Sequence, residues 1–241
     1  MNSTEKVNFI SDWIKTYVDQ MPSKAESLVI GISGGIDSSV SSTLCAMTGL
    51  KTIVLSMPIK QKENQHDLSL KHQKWLVEKF KNVEAHTINL DELFKSFSST
   101  LNKFDNEHGF ANSRARLRMT TMYQVAAANK GIVVGTGNKV EDFGVGFYTK
   151  YGDGGVDISP IADCNKTDVW EMGKELGILK EIINAPPTDG LWDDGRTDEG
   201  QLGFKYEDLE DAMKNPKSPH RKEYEKIRKQ NLHKMEPIPV C

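Results

Sequence analysis

Three cysteines in 241 residues (Cys45, Cys164 and Cys241) are too few and too scattered for a disulfide framework. None stands in a C-x-x-C pair, which also argues against a zinc cluster and a thioredoxin-type motif. A reducing compartment is the expectation. The first residues, Met1-Asn2-Ser3-Thr4-Glu5-Lys6, lack the apolar core of a signal peptide. No apolar run reaches the length needed to cross a bilayer. A soluble, cytoplasmic protein without a membrane partner is therefore expected. Positive charge is not in excess either: 31 Lys+Arg against 34 Asp+Glu leave a net charge of −3. That excludes a nucleic-acid coat or a polybasic membrane tether, so any phosphate binding has to come from a few placed groups. Internal repeats and low-complexity segments are absent too. With 37% hydrophobic residues, residues 1–241 are expected to form a single domain with a strongly polar surface.

What is present is an alternation of helices and short apolar runs. Val7, Ile10, Ile14, Tyr17 and Val18 share one face and predict a helix over 4–20. Further helices are predicted over about 37–48, 64–80 and 112–129, and a charged helical stretch over 206–231. Between them lie predicted strands at 28–32, 52–55, 86–90 and 131–135. Strands that are continuous apolar runs, alternating with helices, predict an α/β fold. Its sheet should be doubly wound and mostly parallel, with helices on both faces. Residues 143–155 and 185–203 fit neither period. Loops this long inside a compact domain are usually functional, and both are expected to act as lids. The second carries Leu191 and Trp192 among its charges.

The densest signal is Ser33-Gly34-Gly35-Ile36-Asp37-Ser38-Ser39, directly after the first strand and opening a helix. Such a turn aims backbone N–H groups and the positive end of the helix dipole at a ligand above the strand ends. It is not a Walker A loop, because no Lys stands near Gly35, and it is not a G-x-G-x-x-G fingerprint. A plain Gly-rich turn with Asp37 as a helix-start carboxylate is the bland alternative. It accounts poorly for two Gly, three Ser and an Asp in one turn. Asp37 and Glu141 both lie just past strand ends and can converge as hard oxygen ligands for Mg²⁺. Lys166 follows Asn165 at a predicted helix start, where a cation opposes the helix dipole unless an anion sits beside it. Asn112 and Arg116 are four apart and share a helix face. Trp13, Trp75 and Trp170 fall within helices and read as packing residues.

The loop resembles the S-G-G-x-D-S element of the ATP pyrophosphatases, enzymes that cut ATP between the α- and β-phosphates and transfer AMP to an acceptor oxygen. Other motifs select within that group. Gly135-Thr136-Gly137-Asn138-Lys139-Val140-Glu141 resembles the G-T-x-N-x-x-E element of NAD synthetases, and Asn112-Ser113-Arg114-Ala115-Arg116-Leu117-Arg118-Met119 their N-x-x-A-R-x-R-M helix start. Thr149-Lys150-Tyr151-Gly152-Asp153-Gly154-Gly155 is similar to their substrate loop. Pro160-Ile161, Lys166-Thr167, Pro187-Thr188, Asp198-Glu199 and His233-Lys234 follow in family order, so the resemblance spans nearly the whole chain. Two places depart from it. Gln201 stands where a Glu is common, and 142–146 departs from the usual leucine-rich version, with room for one extra residue.

The resemblance implies a Rossmann-like ATP pyrophosphatase fold and ATP-dependent amidation of deamido-NAD. The carboxylate would become an acyl-adenylate that ammonia attacks, releasing AMP and pyrophosphate. ATP, the co-substrate, would be held by Gly31, Ser33, Gly34, Gly35, Asp37, Ser38 and Ser39, and by Thr136, Lys166 and Thr188. Asp37 and Glu141 would carry Mg²⁺. Asn112, Arg116, Lys150, Asp153, His233 and Lys234 would hold deamido-NAD. Asp37, Lys166 and Asp153 would be catalytic, Asp153 as proton acceptor. The family also implies a homodimer formed through the N-terminal helix and the 112–129 helix. No glutamine-hydrolysing segment fits, so free ammonia is the expected donor. A tRNA-modifying ligase of the same class, or a non-catalytic nucleotide-binding regulator, are the rival readings. The lack of basic excess weighs against the first, and the combination of Asp37, Glu141 and Lys166 against the second.

Overall fold

Four segments pair side by side as parallel strands: β1 (Ser27–Gly31), β2 (Lys51–Ser56), β3 (Val83–Thr87) and β4 (Gly131–Val134), in the order β3-β2-β1-β4. The computed structural model describes residues 1–60, 63–188 and 197–241. Its helices are α1 (Ser3–Gln20), α2 (Ile36–Met47), α3 (Glu63–Lys79), α4 (Asp91–Thr100), α5 (Glu107–Ala128), α6 (Lys166–Leu176), α7 (Lys180–Ile183), α8 (Asp198–Leu202), α9 (Tyr206–Lys214) and α10 (Arg221–Met235). A π-helical turn covers Lys139–Val145.

Side chains of a strand alternate between faces, and both faces are covered here. Leu28, Ile30, Val54, Ile132 and Val134 pack with α1, α2, α3 and α6 in one core cluster. Val29, Ile53, Leu55 and Val133 face the other way, onto Phe94 of α4 and Met122 and Ala126 of α5. The sheet is therefore doubly wound, and the strand order changes direction between β1 and β4. A topological switch of this kind opens a crevice at the carboxyl ends of the two strands. A third cluster (Val140, Val145, Leu202, Tyr206, Leu209, Ala212 and Tyr224) joins the π turn to α8, α9 and α10.

Helix α6 lies close against α2. A Cβ on Gly173 would come within 2.6 Å of Ile36 Cδ1, so glycine permits this approach without moving the Ile36 side chain. The close crossing brings the first residue of α6 to the mouth of the turn that follows β1.

Several expectations are displaced. The third strand is Val83–Thr87, three residues earlier than the apolar pattern of 86–90 predicts. It is an edge strand with largely exposed side chains, so its apolar signal is weak. The buried Leu90 belongs instead to the start of α4. Helix α5 begins at Glu107, capped by Asn106, whose side chain accepts from Gly109 N at 2.7 Å. The 206–231 stretch is two helices parted at Asn215-Pro216, because proline cannot continue a helix. In α1 the apolar face of Val7, Ile10, Ile14 and Val18 is consumed by the chain's own core. Phe9, Trp13 and Tyr17 form a separate, exposed stripe. The lid expected at 185–203 lies partly outside the described residues, and with it Leu191 and Trp192.

A buried histidine ties α3 to α2. His72 Nε2 is 3.0 Å from Ser42 Oγ, and its ring stacks on Trp75 at 5.4 Å. Burial pushes its pKa from 6.5 down to about 4. The folded state thus keeps the ring neutral while the unfolded chain protonates it below 6.5. The resulting stability is complete above 6.5 and is lost as pH falls toward 4, by about 3 kcal/mol in total. Replacing His72 with Gln should flatten the decline of urea-unfolding free energy between pH 6.5 and about 5 relative to wild type, since the variant keeps every carboxylate of the wild type. An unchanged slope would remove His72 as the source.

Candidate active site

The turn after β1 is built to approach a ligand closely. Gly34 takes a left-handed φ of 91° and Gly35 is extended, serving as the N-cap of α2. Ser33 Oγ accepts from Gly35 N at 3.2 Å and lies 3.0 Å from Ser38 Oγ. The hydroxyls of Ser38 and Ser39 both donate to Gly35 O, at 3.1 and 2.9 Å. The loop is thus held from within, and the positive end of α2 opens onto the crevice.

The segment after β4 supplies the second wall. Asn138 is fully buried and fixes two acids at once. Its Oδ1 accepts from Val140 N and Glu141 N at 3.0 and 3.1 Å, and its Nδ2 donates to Asp37 Oδ1 at 3.0 Å. A π-helical turn, Lys139–Val145, covers most of the segment read as departing at 142–146. It turns Asp142 back over Gly137. A Cβ on Gly137 would lie 1.9 Å from Asp142 Oδ2, so this approach also requires glycine.

The third wall is the start of α6. Glu210 of α9 reaches across to cap it, accepting from Thr167 N at 3.0 Å and from Thr167 Oγ1 at 2.7 Å. Lys166, only 1% exposed, then extends between two acids. Its ammonium donates to Asp37 Oδ2 at 2.6 Å and to Glu141 Oε1 at 2.9 Å. These carboxylates answer the conflict between a first-turn lysine and the helix dipole. Tyr206 completes the cluster: its hydroxyl donates to the same Glu141 oxygen at 2.5 Å, and the Lys166 ammonium lies 4.8 Å from its ring centroid.

Burial opposes charge throughout this cluster. At Lys166 it is outweighed by Asp37 and Glu141, which hold the ammonium above its ordinary pKa range. Burial acts against ionisation of Glu141 as well, but Lys166 and the Tyr206 hydroxyl turn the balance and lower its pKa. At Asp37 burial, helped by the Glu141 charge, prevails over Lys166 and leaves the pKa raised. Asp142 is pushed well up by burial and by Asp153, Glu141 and Asp37. The Tyr206 hydroxyl is likewise driven up by burial and the charges of Glu141 and Asp198, so it stays a donor.

These walls enclose a cavity of about 380 Å³. Gly31, Ser33, Gly34, Gly35, Asp37 and Ser38 line it from the first turn, and Thr136, Glu141, Lys166 and Thr188 from the others. Ser39 is fully buried and lies behind the lining. Of the residues expected to hold the acid substrate, Asp153 lines the cavity, accepting from Thr149 N at 3.0 Å. The others stand around the 149–153 turn. Asn112 Oδ1 accepts from Thr149 Oγ1 at 2.5 Å, and Arg116 donates to Lys150 O at 3.2 Å. Lys150 donates to His233 O at 2.8 Å, and Lys234 to Gly146 O and Tyr148 O at 2.9 Å each.

Sequence reasoning assigned no role to Asp142, Asn138, Arg118 or Tyr206. Asp142 and Arg118 line the cavity, and Arg118 is also anchored on Met57 O at 3.0 Å. Asn138 and Arg118 lay inside quoted motifs and could have been singled out. Nothing in the charged 206–231 stretch distinguishes Tyr206.

The parallel sheet with its switch point, the Gly-Gly turn and the convergent carboxylates define the class: a doubly wound α/β protein with its cavity at the carboxyl ends of β1 and β4. Comparison narrows it. The NAD synthase family model matches residues 6–238. The NH(3)-dependent NAD(+) synthetase of Carboxydothermus hydrogenoformans is 37% identical over 216 residues, 87% of this chain and 85% of that protein. The enzyme of the same name from Finegoldia magna is 36% identical over 97% of this chain and 94% of its own length. Among solved structures, NMN synthetase from Francisella tularensis superposes with a TM-score of 0.90 at 31% identity, covering 100% of this chain and 99% of its own. The chain belongs to the NAD synthase family.

Tyr206→Phe removes one buried hydrogen bond to a carboxylate, a loss worth roughly 1.5–3 kcal/mol. The urea midpoint should fall accordingly with an unchanged slope. An unmoved midpoint would mean that the hydroxyl contributes nothing to holding Glu141.

Proposed function

We propose that this protein amidates the nicotinate carboxylate of deamido-NAD, using ATP and free ammonia and releasing AMP and pyrophosphate. The observation that carries the reading is the meeting of Asp37, Glu141 and Lys166 beside the Gly34-Gly35 turn in one cavity. A carboxylate oxygen is a poor leaving group. Attack by that oxygen on the ATP α-phosphate forms the new P–O bond and breaks the α–β bond, expelling pyrophosphate. Ammonia then adds to the acyl carbon, and AMP leaves with the C–O bond electrons.

The loop N–H groups of Gly34 and Gly35, with Ser33, Ser38, Thr136 and Thr188 around them, bind phosphate oxygens and meet charge developing on the leaving group. Gly31 leaves space at the strand end, and Ser39 holds the turn from behind. Lys166 adds a cation there. Asp37 and Glu141 suit Mg²⁺: both present hard oxygens, and an ammonium already lies between them. Among the described residues no trio of His, Cys, Asp or Glu is grouped for a metal. Two carboxylates plus phosphate oxygens is the ordinary Mg²⁺ arrangement. When bound, Mg²⁺ supplies charge stabilisation on the triphosphate. Asp153 stands in the cavity to take a proton from the incoming ammonium. Asn112, Arg116, Lys150, His233 and Lys234 surround the 149–153 turn and position the nucleotide part of the acid.

The thiols support ammonia as donor rather than a glutamine-derived intermediate. Burial pushes Cys45 up to about 12, and burial with Asp168 pushes Cys164 up to about 11, so neither is an activated thiolate. We read residues 1–241 as one domain, with 143–155 and the described ends of 185–203, which line the cavity through Phe147, Asp153, Thr188 and Asp198, keeping water from the adenylate. The exposed Phe9, Trp13 and Tyr17 stripe on α1 favours a homodimer. Among the described residues no helix is long and apolar enough to cross a membrane, and a cytoplasmic location without a nucleic-acid partner fits the net charge of −3.

A second reading takes nicotinate mononucleotide as the acid. It is favoured by the TM-score of 0.90 and near-complete mutual coverage with an NMN synthetase. Assays of pyrophosphate release and amide formation with ATP, Mg²⁺, ammonium and each acid separate the two. The first reading expects the higher kcat/KM with deamido-NAD; a tenfold preference for the mononucleotide would select the second.

Asp37→Asn and Glu141→Gln should each lower turnover roughly 100-fold or more, since several kcal/mol of transition-state stabilisation depend on the metal. Circular dichroism should keep its folded form at room temperature, with a lower Tm because buried Lys166 loses one of its two charged partners. Near-wild-type turnover of both variants at saturating Mg²⁺ would defeat the metal assignment. Wild-type activity should rise from pH about 7 to 9 as the fraction of unprotonated ammonia grows.

A further inference from the structure

The cation between Asp37 and Glu141 is part of the chain itself, and this has a consequence for how a metal enters. Lys166 is 1% exposed, and its ammonium lies 2.6 Å from one carboxylate and 2.9 Å from the other. The acids cannot move aside to make room. Asp37 is held by Asn138 at 3.0 Å, and Glu141 by the Tyr206 hydroxyl at 2.5 Å and, through its backbone N–H, by Asn138 at 3.1 Å. The base of the lysine is fixed as well, because Glu210 caps the first turn of α6 through Thr167. The Lys166 side chain, with four methylenes, is the element left to move.

We propose that Lys166 is a resident counter-ion that occupies the place of the divalent cation, so that the metal is admitted only together with the triphosphate. This rests on the reading of Asp37 and Glu141 as metal ligands. Without nucleotide, a divalent ion entering this pair must break both hydrogen bonds of the buried ammonium, whose partners are these two carboxylates, although Asp142, Asp153 and Asp198 also line the cavity. Stripping a buried ammonium of its partners is costly. With a triphosphate in the turn, phosphate oxygens replace the carboxylates as its partners, and the exchange conserves ion pairing. The charges follow the same order. Two carboxylates and one ammonium leave −1, whereas adding a divalent cation with Lys166 still in the cavity leaves +1, an excess that a triphosphate offsets and an empty turn does not. The bare site is thereby protected from metal ions that arrive alone.

Apparent affinity for a site available only part of the time falls by the available fraction. Manganese(II), with no nucleotide present, is the probe. By electron paramagnetic resonance and calorimetry, Lys166→Met should bind Mn²⁺ at least about tenfold more tightly than wild type, and Mn²⁺ should raise its Tm. Lys166→Arg keeps a cation in place and should bind as weakly as wild type. Equal Mn²⁺ affinity of wild type and Lys166→Met would overturn the proposal. Where Lys166→Met does not fold, the wild type decides alone. Its Tm should not move with Mn²⁺, and a rise that Asp37→Asn abolishes would overturn the proposal. Failure of the underlying reading has a different signature: wild-type protein releasing no pyrophosphate from ATP with either nicotinate nucleotide.

Discussion

The buried Lys166 ion pair is the interaction on which the rest of the site depends. It joins three stretches far apart in sequence: the first turn of α2, the π turn after β4 and the first turn of α6. An isolated lysine or carboxylate at this depth would cost several kcal/mol. Each member is therefore tolerable only because the others are present. The same demand explains the supporting cast. Asn138 spends both ends of its amide on the two acids' segments, Tyr206 donates its hydroxyl to Glu141, and Glu210 satisfies the donors at the start of α6. Without that scaffold the three charges would separate or neutralise.

Packing makes the meeting possible. Gly173 offers no Cβ to Ile36, so α2 and α6 approach without displacing the Ile36 side chain. The sheet's change of strand order between β1 and β4 leaves a crevice above their carboxyl ends, and both loops that open there carry a carboxylate. Helices α8 to α10 then close one side through the cluster around Tyr206 and Leu209. The architecture thus separates a rigid floor, the parallel sheet, from walls whose side chains meet the ligand. Such a division suits a reaction whose intermediate has to be shielded from water.

The chain is similar both to NAD synthetases and to an NMN synthetase. On the proposed function, the cavity assembled from the Gly-Gly turn, Asp37, Glu141 and Lys166 would serve the triphosphate and the reacting carboxylate, which either acid shares. The groups proposed to hold the rest of the acid stand around the 149–153 turn, where Lys150, Lys234 and Arg116 bond to backbone carbonyls. Specificity for the distal part of the acid would then be separable from the chemistry.

The sequence by itself determined the parallel α/β layering, because short continuous apolar runs between helices can be buried only in a sheet covered on both faces. It also marked the Gly-rich turn that opens α2 at the cavity, since Ser33-Gly34-Gly35-Ile36-Asp37 combines two glycines with a helix start, and it marked Glu141 and Lys166 by their neighbours. Local signals failed where the deciding partner is remote. Strand β3 was misplaced because an edge strand needs few apolar side chains. The break at Pro216 was passed over in a stretch whose charge pattern is helical on both sides. The role of Tyr206 was invisible because a tyrosine opening a charged helix resembles any other until the fold sets it beside Glu141. Only the tertiary structure decided that Lys166 lies between Asp37 and Glu141, for a physical reason: the energy of a buried ion pair depends on distances between segments about 25 to 130 residues apart, and no local pattern encodes them.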